Sequence, residues 1–387
     1  MEKTKKYLRS ILPLFYLGVY FTGFYTSGAL GFAVHFLLAM LLLWVFVKRK
    51  LPKKNYFLAG IFILFYFLLY WTSIFDSAAR LAGLPDRWVL YGLIYTGFVL
   101  GFGVRFIAQH RDSRYQVLRT LSLMTVQLIP AFIVPLAMRV LINKEYYFSY
   151  LWPLKIEYFY PSVILEFPFP FLVYSLGASL VVMPVLALVL GKRWYCSWVC
   201  GCGGLAETFG DPWRHLSDKS AGAWKFERWT VHSVLVLAGA GTLVIVLSWN
   251  INGPSPGQAP LLEFAAERIK DFYGFIVSVV LAGIFGVGYY PVLGSRVWCR
   301  FFCPMAALLG IIQKAGRFHI RVKNDMCISC GNCSTYCEMG IDVRSYAQKN
   351  QSFTRASCVG CGMCAYVCPR GVLRLENRRS FTAVHNG

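Results

Sequence analysis

The chain has 387 residues, of which 57% are hydrophobic and 15% are charged, whereas about a quarter of the residues in a soluble domain are charged. Its mean hydropathy is +0.52. This composition excludes an ordinary soluble domain and favours an integral membrane protein. The formal net charge of +21 needs no nucleic-acid partner, because the rule that basic loops stay inside a membrane explains most of it.

Apolar stretches long enough to cross a bilayer recur along the chain. The eight predicted spans cover approximately residues 8–25, 29–47, 56–74, 88–107, 119–141, 170–191, 231–249 and 274–293. The first stretch is too long for a cleaved signal peptide and lacks a small-residue cleavage site. We therefore predict a polytopic bundle of about eight transmembrane helices.

Lysine and arginine are concentrated in every second segment between these spans. Of the 39 basic residues, 31 lie in segments 1–9, 48–54, 108–119, 192–230 and 294–387. The alternate loops, 75–87, 142–169 and 250–273, hold two each. Because basic segments remain on the cytosolic side, this alternation predicts that both termini are cytosolic.

Five cysteines fall into two similar stretches, each of which directly follows a predicted span. The stretches contain Cys196, Cys200 and Cys202, and Cys299 and Cys303. Arg193 and Arg296 each lie three residues before the first cysteine, so the stretches form an internal repeat. If each stretch is helical, thiols four residues apart share one face, and two facing pairs would supply four thiolates.

Three interpretations of these five cysteines remain open. They could hold a third [4Fe–4S] cluster, with Cys202 as a spare or alternative ligand. They could form a thiol pair that cycles between redox states or binds another metal. They could also be structural, because a free cysteine packs as a small hydrophobic residue.

Two further runs of four cysteines lie near the C-terminus. They are Cys327, Cys330, Cys333 and Cys337, and Cys358, Cys361, Cys364 and Cys368. This spacing is typical of a ferredoxin with two clusters, in which the fourth cysteine of each run binds the other cluster. Zinc sites usually have two separated pairs instead, and disulfides are disfavoured in the cytosol.

The spacing predicts two [4Fe–4S] clusters with crossed ligand sets. The first set is Cys327, Cys330, Cys333 and Cys368, and the second is Cys358, Cys361, Cys364 and Cys337. Pro369 follows the second run, but Glu338 follows Cys337 where a proline is usual. We expect this acidic residue to tune the potential of the neighbouring cluster.

The predicted fold class is an all-α polytopic membrane bundle with a small α+β two-cluster ferredoxin module at the C-terminus. The predicted regions are 1–165, a transmembrane region; 166–315, a transmembrane region with the repeated cysteine motif at its cytosolic face; and 316–387, the cytosolic ferredoxin module.

The sequence Cys-Arg-Phe-Phe-Cys-Pro at 299–304, followed by the cysteine runs at 327–337 and 358–369, resembles the membrane-bound polyferredoxins of the NapH/NosR type. The resemblance covers roughly residues 170–377, and the family's membrane cysteines correspond to Cys196, Cys200, Cys299 and Cys303. The first motif reads Cys-Gly-Cys where the family has Cys-Pro. The resemblance implies an accessory electron-transfer role in a bacterial or archaeal inner (cytoplasmic) membrane.

The predicted function is an electron relay between a cytosolic donor or the quinone pool and a membrane-associated redox enzyme or carrier. The alternative is a metal reductase, for copper as an example, or a cofactor-assembly factor that uses the membrane-face cysteines. We expect a non-catalytic component of an oxidoreductase system with quinone as a possible bound cofactor. The expected partners are membrane lipid and other redox subunits or a soluble acidic donor, without nucleic acid.

Overall fold

The computed structural model describes residues 51–156, 165, 167–252, 260–323 and 325–377, and the chain is mostly helical there. Six described helices are long and apolar enough to cross a membrane. They are Lys53–Trp71, Arg87–Gln109, Arg114–Ile142, Phe169–Leu190, Ala221–Ile251 and Leu261–Gly288. These six confirm a multi-pass membrane protein, whereas the predicted spans 8–25 and 29–47 lie outside the described residues.

The span helices begin and bend where the sequence dictates. Asp86 caps the helix Arg87–Gln109, and its carboxylate accepts hydrogen bonds from the amides of Trp88 (2.8 Å) and Val89 (3.0 Å). Three spans contain π-helical segments, at Ile129–Ile133, Ala178–Val182 and Gly274–Gly288. The first of these segments contains a proline, which cannot donate the regular helical hydrogen bond.

Two spans begin ten or more residues earlier than the apolar pattern predicts. The helix that contains predicted span 231–249 starts at Ala221. The helix that overlaps predicted span 274–293 starts at Pro260 and ends at Gly288, and residues Tyr290–Leu293 form a separate short helix. Each added section carries charged residues, among them Glu227 and Lys270. The hydrophobicity of the sequence identifies only the part of a helix that can lie in lipid, so it does not predict the polar extension of the same helix.

Shorter elements follow or connect the spans. The helices are Ile74–Leu81, Arg193–Cys196, Gly201–Glu207, Tyr290–Leu293, Val297–Phe301, Pro304–Lys314, Asn332–Thr335, Val343–Gln348 and Met363–Tyr366, with a 3-10 helix at Asp211–Leu216. Strand β1 (His319–Val322) pairs antiparallel with strand β2 (Leu373–Glu376). This small sheet joins the two ends of the cysteine-rich region.

The cysteine-rich region is itself a structural repeat. Left-handed backbone conformations recur 31 residues apart, at Ser329 and Gly360, Gly331 and Gly362, and Gly340 and Gly371. The amide nitrogens of Ile341 and Val372 lie 3.4 Å from the sulfurs of Cys337 and Cys368, respectively. The two cysteine runs therefore have matching backbone geometry.

The second cysteine run packs directly against the helices that precede it. The Tyr115 hydroxyl donates a hydrogen bond to the Gly360 carbonyl at 2.7 Å, and the Ser197 hydroxyl donates to the Val359 carbonyl at 2.8 Å. The Gln313 amide donates to the Cys358 carbonyl at 3.1 Å. One continuous apolar core also joins the two regions. The ferredoxin region, which comprises the small sheet and the two cysteine runs within residues 319–377, is thus packed against the helices that precede it.

This docking predicts different effects for two equivalent glycines. A Cβ at Gly340 would lie 2.3 Å from the backbone carbonyl oxygen of Asp218, whereas a Cβ at Gly371 would meet nothing within 4 Å. Both residues have positive φ, so Gly371→Ala should cost about 1 kcal/mol of unfolding free energy from backbone strain alone. Gly340→Ala should cost clearly more and make the region protease-sensitive. Equal unfolding and digestion profiles for the two variants would contradict the docking.

Candidate metal centres

The four cysteines of the first predicted set lie around one cavity. Cys327, Cys330, Cys333 and Cys368 all line it. Burial raises the pKa of the Cys333 thiol to about 11, and the nearby thiols of Cys368, Cys327 and Cys330 contribute in the same direction. Residues from both runs therefore meet as the crossed pattern predicts.

The second predicted set also comes together. Burial raises the pKa of the Cys364 thiol well above its usual range, and the next largest causes are the neighbouring thiols of Cys361, Cys358 and Cys337. Four neighbouring thiolates would repel one another unless a cation or a metal cluster neutralised their charge. The donor sets of both sites, four sulfurs each, suit iron–sulfur clusters.

The membrane-face motifs do not lie on continuous helices. The helix Arg193–Cys196 ends at its first cysteine, and Cys200 precedes the next helix, Gly201–Glu207. In the second motif, the helix Val297–Phe301 ends, and Cys303 precedes the helix Pro304–Lys314. The condition for each thiol pair to share one helical face, a continuous helix, is therefore not met. Each pair instead flanks a break between two helices.

The break has the same hydrogen bond in both motifs. The Cys200 amide donates to the Tyr195 carbonyl at 2.8 Å, and the Cys303 amide donates at 3.0 Å to the carbonyl of Trp298, which is equivalent to Tyr195 in the repeat. Pro304 disfavours helical backbone at Cys303. Cys200 has the same extended backbone (φ −64°, ψ 129°) although glycine follows it. The Cys-Gly departure from the family pattern thus preserves the local geometry.

The two motifs bring their thiols into one buried group. Burial raises the pKa of the Cys303 thiol well above its usual range, and the thiols of Cys299, Cys200 and Cys196 add to this effect. All four residues are buried. Cys202 lies beside them, and its hydrogen bond to Cys200 lowers the pKa of the Cys200 thiol to about 7. The structure therefore groups all five membrane-face cysteines.

A buried ion-pair network lies between this thiol group and the ferredoxin region. Its members are at most 2% exposed and come from five separate parts of the chain. They are Arg119, Glu207, Arg214, Arg296 and Glu338. Glu207 pairs with Arg119, Arg296 and Arg214. Burial alone would raise the pKa of the Glu207 carboxyl, but these guanidinium groups lower it to about 2.

Arg296 connects the membrane-face cysteines with Glu338 in the ferredoxin region. Its Nε lies 3.0 Å from a carboxylate oxygen of Glu338, the residue that follows Cys337. Its Nη1 lies 3.7 Å from the sulfur of Cys299 and also donates to the Cys196 carbonyl at 3.3 Å. One side chain thus contacts the membrane-face cysteines and the ferredoxin region.

Glu207, Glu338 and Cys361 offer ligand atoms within 4.8 Å of one another. The two carboxylates are already ion-paired with guanidinium groups, as in the contacts of Arg214 with Glu207 (3.7 Å) and Glu338 (3.2 Å). Ion pairing therefore explains this cluster without a metal ion.

Sequence reasoning identified all thirteen cysteines but missed most of the network. It noted Glu338 as an unusual neighbour of Cys337 and Arg296 as part of a repeat. It assigned Arg119 and Arg214 to the basic cytosolic segments and passed over Glu207. The available signal was the scarcity of acidic residues, 18 in the whole chain, which makes an isolated acid after a cysteine motif noteworthy.

Six spans among the described residues, two runs of four cysteines and a docked ferredoxin region define a membrane-bound iron–sulfur protein. Family models agree with this class. A 4Fe-4S dicluster domain matches residues 320–375, and a 4Fe-4S binding domain matches residues 172–220 and 274–323, which contain the two membrane-face motifs. The chain therefore binds two [4Fe–4S] clusters. No solved structure matches the chain.

Several curated proteins are similar over the cysteine-containing part. The putative electron transport protein YccM of Escherichia coli is 28% identical over 44% of this chain and 47% of its own length. The methylamine utilization ferredoxin-type protein MauN of Methylorubrum extorquens is 29% identical, over 42% and 52%. The ferredoxin-type protein NapH of Escherichia coli is 25% identical, over 41% and 51%.

The chain thus spans about half the length of these curated relatives. The matches agree with the resemblance found in the sequence: over its cysteine-containing part, the chain is similar to ferredoxin-type proteins such as NapH.

Proposed function

We propose that this protein relays single electrons between the ferredoxin region and the thiol group at the membrane face. The observation that carries the proposal is the position of Arg296, which contacts Cys299 on one side and Glu338, next to Cys337, on the other. A buried side chain that touches both groups fixes their separation, and fixed separations are what a relay requires from its protein.

The ligand assignment that we propose follows the crossed pattern. One cluster takes Cys327, Cys330, Cys333 and Cys368, which share a cavity, and the other takes Cys358, Cys361, Cys364 and Cys337. Bound [4Fe–4S] clusters supply one-electron chemistry in which no bond to substrate forms. The protein holds the thiolates, and the amides of Ile341 and Val372 face the sulfurs of Cys337 and Cys368. Such contacts favour the reduced form.

We further propose a third cluster on Cys196, Cys200, Cys299 and Cys303, with Cys202 as the spare thiol. The burial and mutual proximity of these thiols support it. So does the match of both motifs to a 4Fe-4S binding domain. The Ala306 amide lies 3.4 Å from the Cys303 sulfur, and Arg296 places a positive charge beside Cys299.

The cellular setting that we propose is a bacterial or archaeal inner membrane with both termini in the cytosol. A cytosolic donor or the quinone pool exchanges one electron at a time with one end of the relay. A membrane-associated redox enzyme or carrier exchanges it at the other end. The names of MauN and NapH, both ferredoxin-type proteins, support redox subunits as partners.

Iron and acid-labile sulfide measured on anaerobically purified protein test the third cluster. We expect about twelve irons and twelve sulfides per chain, because three cubanes contain four of each. About eight of each would restrict the clusters to the ferredoxin region. The membrane-face thiols would then be left for other chemistry.

The second candidate function, a metal reductase, has a specific observation in its favour. Five thiols lie together in a closed site, and soft thiolates select Cu(I). This function requires about eight irons per chain together with stoichiometric copper binding that is lost in Cys299→Ala. Twelve irons would exclude it, because the same thiols cannot serve both purposes.

A further inference from the structure

A second cavity lies where the ferredoxin region meets the helix Ala221–Asn252. Its volume is about 350 Å³, within the range of small-ligand sites. Its walls come from that helix, from the helix Pro304–Lys314 and from the segment 351–357. Of the five membrane-face cysteines only Cys299 touches it, so it is separate from the space between the thiols.

The lining of this cavity is strongly basic. Five cationic side chains border it: Lys192, Arg228, Arg300, Lys314 and Arg355. The single carboxylate in the lining, Glu227, is already engaged by the Arg300 Nε at 2.8 Å and by the Ser357 hydroxyl. Within the described part of the chain, the other four cations have no carboxylate at ion-pair distance.

Two of these cations are held in place by an aromatic ring. The guanidinium carbons of Arg228 and Arg355 lie 4.4 Å and 4.6 Å from the centre of the Trp224 ring. Cation–π contacts of this kind fix the guanidinium groups. The Arg355 Nη1 also donates to the Tyr346 hydroxyl at 2.9 Å, and a guanidinium group has four further N–H donors.

Lys192 is 1% exposed, and its ammonium donates to the Ala306 carbonyl at 3.5 Å. This ammonium also lies near the thiols of Cys196 and Cys358, so the phosphate contacts are assigned to the other cations.

Part of the lining is apolar. Val231, Ala307 and Ile311 belong to it, and Ile311 is exposed. Val231 lies on the helix that continues into a membrane span. A ligand that fits this site is anionic at one end and apolar at the other.

We propose that this cavity binds the phosphate group of an anionic phospholipid. Guanidinium groups of Arg228 and Arg355 and the ammonium of Lys314 hold the phosphate oxygens, because guanidinium and phosphate form charge-assisted hydrogen bonds. The acyl chains extend over Ile311 and Val231 toward the membrane span. The lipid then lies across the junction between the ferredoxin region and the span, and it stabilises that junction.

Calorimetric titration of the delipidated, cluster-loaded full chain tests the proposal. The probes are dihexanoyl phosphatidylglycerol, dihexanoyl phosphatidylcholine and inorganic phosphate, each below its micellar concentration where it has one. We expect phosphatidylglycerol to bind at least about tenfold more tightly than phosphatidylcholine, because the basic lining repels the choline cation, and more tightly than inorganic phosphate, which has no acyl chains. Arg228→Gln with Lys314→Gln should weaken its binding about tenfold or more.

The matched control is Arg111→Gln, an exposed cation outside the cavity, which should leave the affinity unchanged. An equal loss of affinity in Arg111→Gln would show that basic residues anywhere on the surface contribute to binding, and it would overturn the proposal. Equal affinity for the two lipids would do the same. Inorganic phosphate binding as tightly as phosphatidylglycerol would assign the cavity to a soluble phosphate and overturn the lipid. Unchanged iron content verifies that the variants fold, and Arg355→Gln replaces the double variant if that one fails.

Discussion

Replacing Arg296 with leucine is expected to lower the free energy of unfolding by about 3 kcal/mol or more, because it removes one partner from buried ion pairs. Arg296 pairs with both Glu207 and Glu338, and all three side chains are at most 1% exposed. The two carboxylates would keep Arg119 and Arg214 but lose the guanidinium that bridges them. Chemical unfolding of the loaded protein measures the loss.

The internal repeat provides a matched control at Arg193, which occupies the equivalent position in the first motif. Arg193 donates to the Leu190 carbonyl at 3.0 Å and stacks on Phe318 at 5.0 Å, without a buried carboxylate partner within the described residues. Arg193→Leu should therefore cost about 1 kcal/mol or less. Similar losses for the two variants would show that the network does not hold the ferredoxin region in place.

Replacing Cys303 with alanine is expected to remove about four irons per chain and leave about eight, if the membrane-face thiols hold a third cubane. Cys202→Ala should leave about twelve irons, because the spare thiol is not needed as a ligand. Iron and sulfide analysis measures both, and electron paramagnetic resonance of the reduced protein shows whether the ferredoxin signals persist.

This pair of variants separates the candidate functions. Loss of iron in Cys202→Ala with none in Cys303→Ala would contradict the ligand set and point to Cys202 in its place. Unchanged iron in both variants would contradict a third cluster. The ferredoxin signals should be the same in both variants, since neither residue belongs to the crossed sets.

Local spacing carried the sequence predictions that the structure supports. The Cys-x2-Cys-x2-Cys-x3-Cys runs require a tight wrap around each site, so sequence distance translates directly into spatial grouping. Span positions followed from the length of the apolar stretches, although their polar extensions did not. The pairing of Cys196 and Cys200 with Cys299 and Cys303 was visible as a repeat and then found as one buried group.

Contacts between segments that are distant in sequence could not be predicted from local spacing. Glu207 and Arg119 are 88 residues apart, and Glu338 and Arg214 are farther apart still, so nothing in either local sequence identifies the partner. The helix break in the first motif could not be predicted either, because Cys200 adopts the extended backbone of Cys303 without a following proline. Tertiary packing decides these ion pairs and this break, whereas the break in the second motif has a local cause in Pro304.

The pairing of strands β1 and β2 has a consequence for the order of events during synthesis. Strand β1 follows the helix Pro304–Lys314 directly, but its partner at Leu373–Glu376 is made only after both cysteine runs. The cavity of the first cysteine set likewise needs Cys368. Every described span leaves the ribosome before either is complete. With co-translational insertion of the spans, the ferredoxin region closes only after the preceding chain has entered the bilayer, and iron and sulfide then reach a chain that is already in the membrane.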